Sequence, residues 1–277
     1  MLKKHNRFIQ LFKPIINTIF IEIKKQKKKF IFFIIISILV SLLQSYILPT
    51  LIPFQLLSNT QAEYFQNGLS FINLIALFAA CLFFSGIICS EFSKKTGFII
   101  FPKINKYKLI IGKYLGNLIL ISIIILSYYL VLALFGVYYY GWQFNIRLIQ
   151  SFLIALLYVI ALSSFVTFFS SFMSSVNMTI ITTVLILFIG FNIADSIVTL
   201  VGSGNIEPLY SLSYLGNLIS YILEDPFPDP RYIEITIRGF TIGTWLTPTV
   251  QIGITMLVIF IIVYLLLASL LFKRRQL

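Results

Sequence analysis

Charge is the scarcest property of this sequence. Of its 277 residues only 11% are Asp, Glu, Lys or Arg, against roughly 25% in an ordinary soluble domain, while 59% are hydrophobic. A soluble fold of this size cannot hide that much apolar side chain, so a soluble enzyme and a disordered chain are excluded together. Histidine is almost absent too: His5 is the single one, placed in a basic tail where a solvated side chain is the simplest reading. There is no His-Glu-x-x-His, no pair of intramembrane aspartates and no Gly-x-Ser-x-Gly, which removes the familiar acid-base and zinc routes to catalysis. The two cysteines, Cys81 and Cys89, are ~12 Å apart along one helix, too far to bridge, and read as small apolar fillers. A phosphate-cradling loop is also missing. Gly112-Lys113 is followed by Tyr114, and Tyr107 stands where the first glycine of such a loop is needed, so ATP-driven work requires another subunit to bind the nucleotide.

Long uncharged runs are what the sequence has instead, over 30–62, 64–90, 114–146, 148–194 and 239–272. About 20 apolar residues span a bilayer as helix, and the Ile/Leu/Phe blocks do not alternate as barrel strands do, which predicts an all-α polytopic membrane protein. The run 148–194 is long enough for two helices and has a polar break, Ser170-Ser171-Phe172-Met173-Ser174-Ser175-Val176-Asn177. Six spans are therefore expected, near 30–50, 70–90, 114–136, 148–169, 178–200 and 250–272, as one domain over 30–277 behind a basic amphipathic segment, 1–29. The basic segment precedes an apolar run long enough to span, which is not the pattern of a cleavable signal peptide.

The net charge of +12 is distributed unevenly. Nine basic residues, from Lys3 to Lys29, precede the first span; the next connection has no Lys or Arg; Lys94, Lys95, Lys103, Lys106, Lys108 and Lys113 crowd the second; and Lys273-Arg274-Arg275 follow the last span. By the positive-inside rule both termini and the loop 91–113 are expected in the cytoplasm of a multi-pass plasma-membrane protein, with 202–249 outside. Each basic cluster abuts a span, so anionic membrane lipid, not nucleic acid, is the expected polyanion.

Apolar residues at Phe8, Leu11, Phe12, Ile15, Ile16, Ile19, Phe20 and Ile23 recur at helical spacing and predict an amino-terminal helix lying in the membrane interface. A plain anchor and a frame for a lateral gate fit this pattern equally. In the outer loop, Pro208 suits a first helical position, with Leu209, Leu212, Leu215, Ile219 and Ile222 following at spacings of three and four, and Ile233, Ile235 and Ile237 alternate as a small strand. A cap over a pathway and a well-packed loop remain equally open. Polar residues inside the spans are few. Gln44, Asn73, Asn192 and Asp195 are the candidate pathway-lining side chains; Asn192, Asp195 and Ser196 share one helical face, where they either line a polar path or bond a neighbouring helix.

Between the second and third spans an acid, Glu91, is followed by lysines, a Thr96-Gly97 break, the apolar Phe98, Ile99 and Phe101, Pro102, and Gly112-Lys113. A short helix lying on the membrane surface, with its apolar side open to a partner, follows from that order. The segment resembles the coupling loop of type-2 ATP-binding-cassette (ABC) exporter permeases, with Glu91, Lys95, Thr96, Gly97, Pro102, Gly112 and Lys113 on the family pattern. Lys106 stands where the family usually has arginine, and Asn105 replaces the common serine. The resemblance implies a coupling helix docked on an ABC ATPase subunit, two permease subunits, identical or different, per assembly, and no cofactor on this chain, with ATP and Mg held by the partner. It further implies that Glu91 links that helix to the second span while 94–101, including Lys94 and Phe98, contacts the ATPase. The expected function is a non-catalytic permease subunit of an exporter; a lipid-modifying membrane enzyme and a non-transporting scaffold are the alternatives.

Overall fold

The computed structural model of the chain describes residues 2–47, 60–93, 105–142, 145–201, 206–237 and 240–274. It contains six helical stretches long and apolar enough to cross a membrane: Phe12–Ile47, Gln61–Ser93, Lys106–Tyr140, Ile146–Phe172, Val176–Thr199 and Val250–Arg274. All six expected spans are present, each longer than expected.

The first span belongs to α1 (Leu2–Leu42), which continues as a π turn through Leu43–Ile47. The amphipathic segment expected at the interface is thus not a separate element. Nothing between Ile23 and Phe30 can stop a helix, because Lys and Gln are good helix formers and the only proline, Pro14, lies upstream. The second span is made of α2 (Gln61–Gly68), α3 (Ile72–Phe84) and α4 (Cys89–Ser93). Backbone groups freed by a break inside a bilayer must find partners within the protein. Ser170 supplies them: its hydroxyl donates to the Ser85 carbonyl at 2.7 Å and accepts the Ile88 and Cys89 amides at 3.1 Å.

The third span, α5 (Lys106–Tyr140), starts at Asn105, whose side chain accepts the Tyr107 amide, and stops at Gly141, whose φ of +79° is open to glycine at no steric cost. Asn145 caps the fourth, α6 (Ile146–Phe172), in the same way. The polar break ends α6 as expected, and Ser175 caps α7 (Val176–Leu185). A π turn, Ile186–Gly190, joins α7 to α8 (Phe191–Val201) in the fifth span, and α11 (Val250–Arg274) is the sixth.

Burial orders these spans. The most apolar windows of the second and fourth are 67% and 61% buried, those of the fifth and sixth 11%, so the second and fourth spans form the centre of the bundle. Ile72, Ala79, Phe84, Ile124, Tyr128 and Leu162 are completely buried there. Thr183 and Thr179 fasten the fifth span to this centre through the Cys81 and Cys89 sulfurs, at 3.4 and 3.8 Å, so both thiols are hydrogen-bond partners as well as fillers.

Beyond the fifth span, α9 (Leu212–Gly216) and α10 (Leu218–Tyr221) precede an antiparallel hairpin of β1 (Tyr232–Ile237) and β2 (Phe240–Trp245), with Tyr232 opposite Trp245 and Ile237 opposite Phe240. Pro208 does not open the helix. Ser211 does, because its hydroxyl accepts the Tyr214 amide at 3.3 Å, which proline cannot offer. Leu212, Leu215, Leu218, Ile219 and Leu223 are buried, so this segment is a packed cap on the bundle.

Candidate functional site

Two places concentrate the polar chemistry, one at each end of the bundle. At the first, α4 ends and α5 begins. Glu91 and Lys113 are 6% exposed each and form an ion pair. Two charges withdrawn this far from water depend on each other, since removing either partner of such a pair costs about 3–5 kcal/mol. The pair therefore ties together the two chain segments on either side of 94–104.

Gly112, beside Lys113, faces α1: a Cβ there would stand 2.7 Å from the Thr18 Cβ and 3.0 Å from the Ile15 carbonyl. Gly116, one turn on, meets the Ile19 carbonyl at 3.3 Å. This small-residue pair lets α1 and α5 approach closely, as small residues four apart do between membrane helices. Glu22 is buried against the same contact, held by Gln26 at 3.0 Å and Lys25 at 3.4 Å. Lys106 lies 5.3 Å from the Phe272 ring centre and 5.7 Å from that of Tyr107, which brings the end of α11 to the same place. Of the residues the sequence singled out for coupling, Glu91, Lys106, Gly112 and Lys113 thus come together. Lys94, Lys95, Thr96, Gly97, Phe98 and Pro102 lie outside the described residues.

The second place is a cavity of about 500 Å³ between α8, the α9–α10 cap and β2, lined by Asn192, Asp195, Ser196, Tyr214, Asn217 and Trp245 among others. Ser211 donates to the Asp195 Oδ2 at 2.7 Å, while Oδ1 is buried and has no hydrogen-bond partner among the described residues. The Trp245 indole N–H is likewise buried and unpartnered. Next to the cavity, Glu207 accepts from Arg231 at 2.7 Å and from the Tyr214 hydroxyl at 2.8 Å, and the Arg231 guanidinium lies 5.5 Å from the Trp245 ring centre. Burial and the Glu207 carboxylate raise the Tyr214 phenol above its usual range, and Tyr210 is pushed up to about 12 by burial and by the Asp195 carboxylate beside it.

Of the four candidate pathway residues, Asn192 and Asp195 line this cavity. Gln44 instead donates to Ser70 at 3.1 Å, and Asn73 lies against Gly216 with its Oδ1 buried and unpartnered. Sequence reasoning missed the Gly112–Gly116 seat for α1, although the four-residue spacing is visible. It also missed the Glu207–Arg231–Trp245 cluster and the Arg147–Asp225 ion pair at 3.0 Å, which fastens the start of α6 to the cap. For Arg147 a signal existed: it is the single base between two long uncharged runs.

The fold defines the class: an all-α multi-pass membrane protein with six apolar spans among the described residues and a packed cap at one end. No family model and no curated protein matches the chain.

Proposed function

We propose that this chain is the membrane-spanning subunit of an ABC-type exporter, and that a separate ATPase subunit drives it through the segment between α4 and α5. The observation that carries this reading is the buried Glu91–Lys113 pair. A lever is useful only if its two roots move as one body. Here the ion pair joins those roots, and the Gly112–Gly116 seat adds α1, so a displacement of 94–104 is delivered to three spans at once. ATP binding on the partner draws the lever, the spans exchange one access state for the other, and hydrolysis resets them. Differential contact of the ATPase with the two states gives the cycle its direction. The chain itself carries out no covalent chemistry in this scheme.

In the same reading the Lys113 end of the bundle and both termini are cytoplasmic, the cap faces outward, two permease subunits assemble, and the apolar interior suits an amphipathic cargo. The test is purification with the ATPase encoded beside this chain. Gly97→Asp combined with Phe98→Asp should release the ATPase and abolish cargo-stimulated ATP turnover. An intact complex with unchanged turnover overturns the assignment.

A further inference from the structure

We infer that the cavity at the outer end of the fifth span is a binding site for an organic ammonium group, with Asp195 as its counter-charge and Trp245 as one wall. An ionised carboxylate near a membrane is costly unless paired, and pairs among the described residues are assigned elsewhere: Arg231 goes to Glu207 and Arg147 to Asp225. Among the described residues Asp195 has only neutral hydroxyls beside it, Ser211 at 2.7 Å from Oδ2 and Tyr210, and no cation. With Glu207 and Asp195 on the acidic side and Arg231 on the basic side, the described residues of this neighbourhood are short of one positive charge.

The rest of the lining says which kind of cation fits. One carboxylate among amides and hydroxyls offers too few charged oxygens to strip a divalent metal of its water. An ammonium needs less: one carboxylate, a few hydroxyl or amide acceptors such as Asn192, Ser196 and Asn217, and an aromatic face. The unpartnered Trp245 N–H adds a donor, so a ligand that carries an acceptor oxygen near its ammonium satisfies both orphaned groups. A volume of about 500 Å³ accommodates such a head group with part of a chain. As a cargo site the cavity rests on the permease reading; as a binding site it does not.

The experiment uses the full chain alone, in a neutral maltoside detergent, without ATPase or nucleotide. Trp142→Phe leaves Trp245 as the only indole, and its emission is titrated with n-hexylammonium and with 1-hexanol. A saturable change for the amine with a midpoint about tenfold or more below that for the alcohol, the scale of one charge-assisted hydrogen bond, supports the site. Asp195→Asn should raise the amine midpoint to that of the alcohol. Equal midpoints for amine and alcohol, or no saturable change, overturn the inference without any Asp195 variant having to fold. Added phosphatidylethanolamine, compared with phosphatidylglycerol, separates the sources: competition with hexylammonium assigns the site to a lipid head group, and its absence assigns it to a free amine. An ATPase that stays docked on the Gly97→Asp/Phe98→Asp variant with unchanged turnover, alongside intact amine binding, would sink the permease reading and leave this site standing.

Discussion

Lys113 and Glu91 have almost no water to fall back on, and each faces the opposite charge across a buried ion pair. Lys113→Met removes the buried cation that faces the Glu91 carboxylate and is expected to lower stability by about 3–5 kcal/mol, whereas Glu91→Leu with Lys113→Met removes both charges and should recover most of that loss. Cys81 and Cys89 provide the readout, since both thiols are free and buried and react with a maleimide dye only on unfolding. A single variant as stable as the parent means the pair does not clamp the two segments. Ser211 has two duties at the opposite end, capping α9 through the Tyr214 amide and donating to Asp195. Ser211→Ala should therefore cost about 1–2 kcal/mol, at the upper side of the usual range for a lost cap. The same dye assay reads it; a change of a few tenths would show that the cap is held by its leucines alone.

Between elements, the contact that organises the first and third spans depends on an absent side chain. Gly112→Ala would put a methyl 2.7 Å from the Thr18 Cβ and 3.0 Å from backbone oxygen, which helix packing cannot relieve by a rotamer change. Its expected cost is about 1–3 kcal/mol, while Gly116→Ala, with its nearest contact at 3.3 Å, should cost clearly less. The reverse order in thermal unfolding would remove α1 from this seat. Such contacts explain where sequence reading stopped. A span is legible because the bilayer makes its demand locally, on about 20 residues at a time, and 114–136 and 250–272 satisfy it alone. Which spans touch is pairwise information. Ser170 looks like part of a polar break, and only its position beside Ser85, Ile88 and Cys89 reveals a splice in the second span. The amphipathic period of 8–23 is the same whether the helix stops at Ile23 or runs on, so the continuous α1 was not readable from periodicity. β2 was also silent, because Thr241, Gly243 and Thr244 give no apolar alternation without the partner strand.

For the whole molecule, charge distribution and packing make one joint statement about orientation. Phe272 packs on Phe92 with ring centres 6.1 Å apart, so Lys273 and the end of α4 share one end of the bundle, while β1 lies at the other. The positive-inside rule predicts that the lysine-rich flanks at the first end lie in the cytoplasm, where the proposed ATPase could reach them. A membrane-impermeant maleimide on intact cells tests this directly. Glu234→Cys, on an exposed position of β1, should be labelled in intact cells, and Lys273→Cys only after the membrane is permeabilised. The buried Cys81 and Cys89 contribute little background. Labelling in the opposite sense would put 94–104 across the membrane from ATP, and no rearrangement of side chains could then give a cytoplasmic motor its hold on α4 and α5. Labelling as expected, with the Glu91–Lys113 clamp intact, leaves 94–104 where the proposed ATPase could reach it and the Asp195 cavity facing the side to which the proposed exporter would release its cargo.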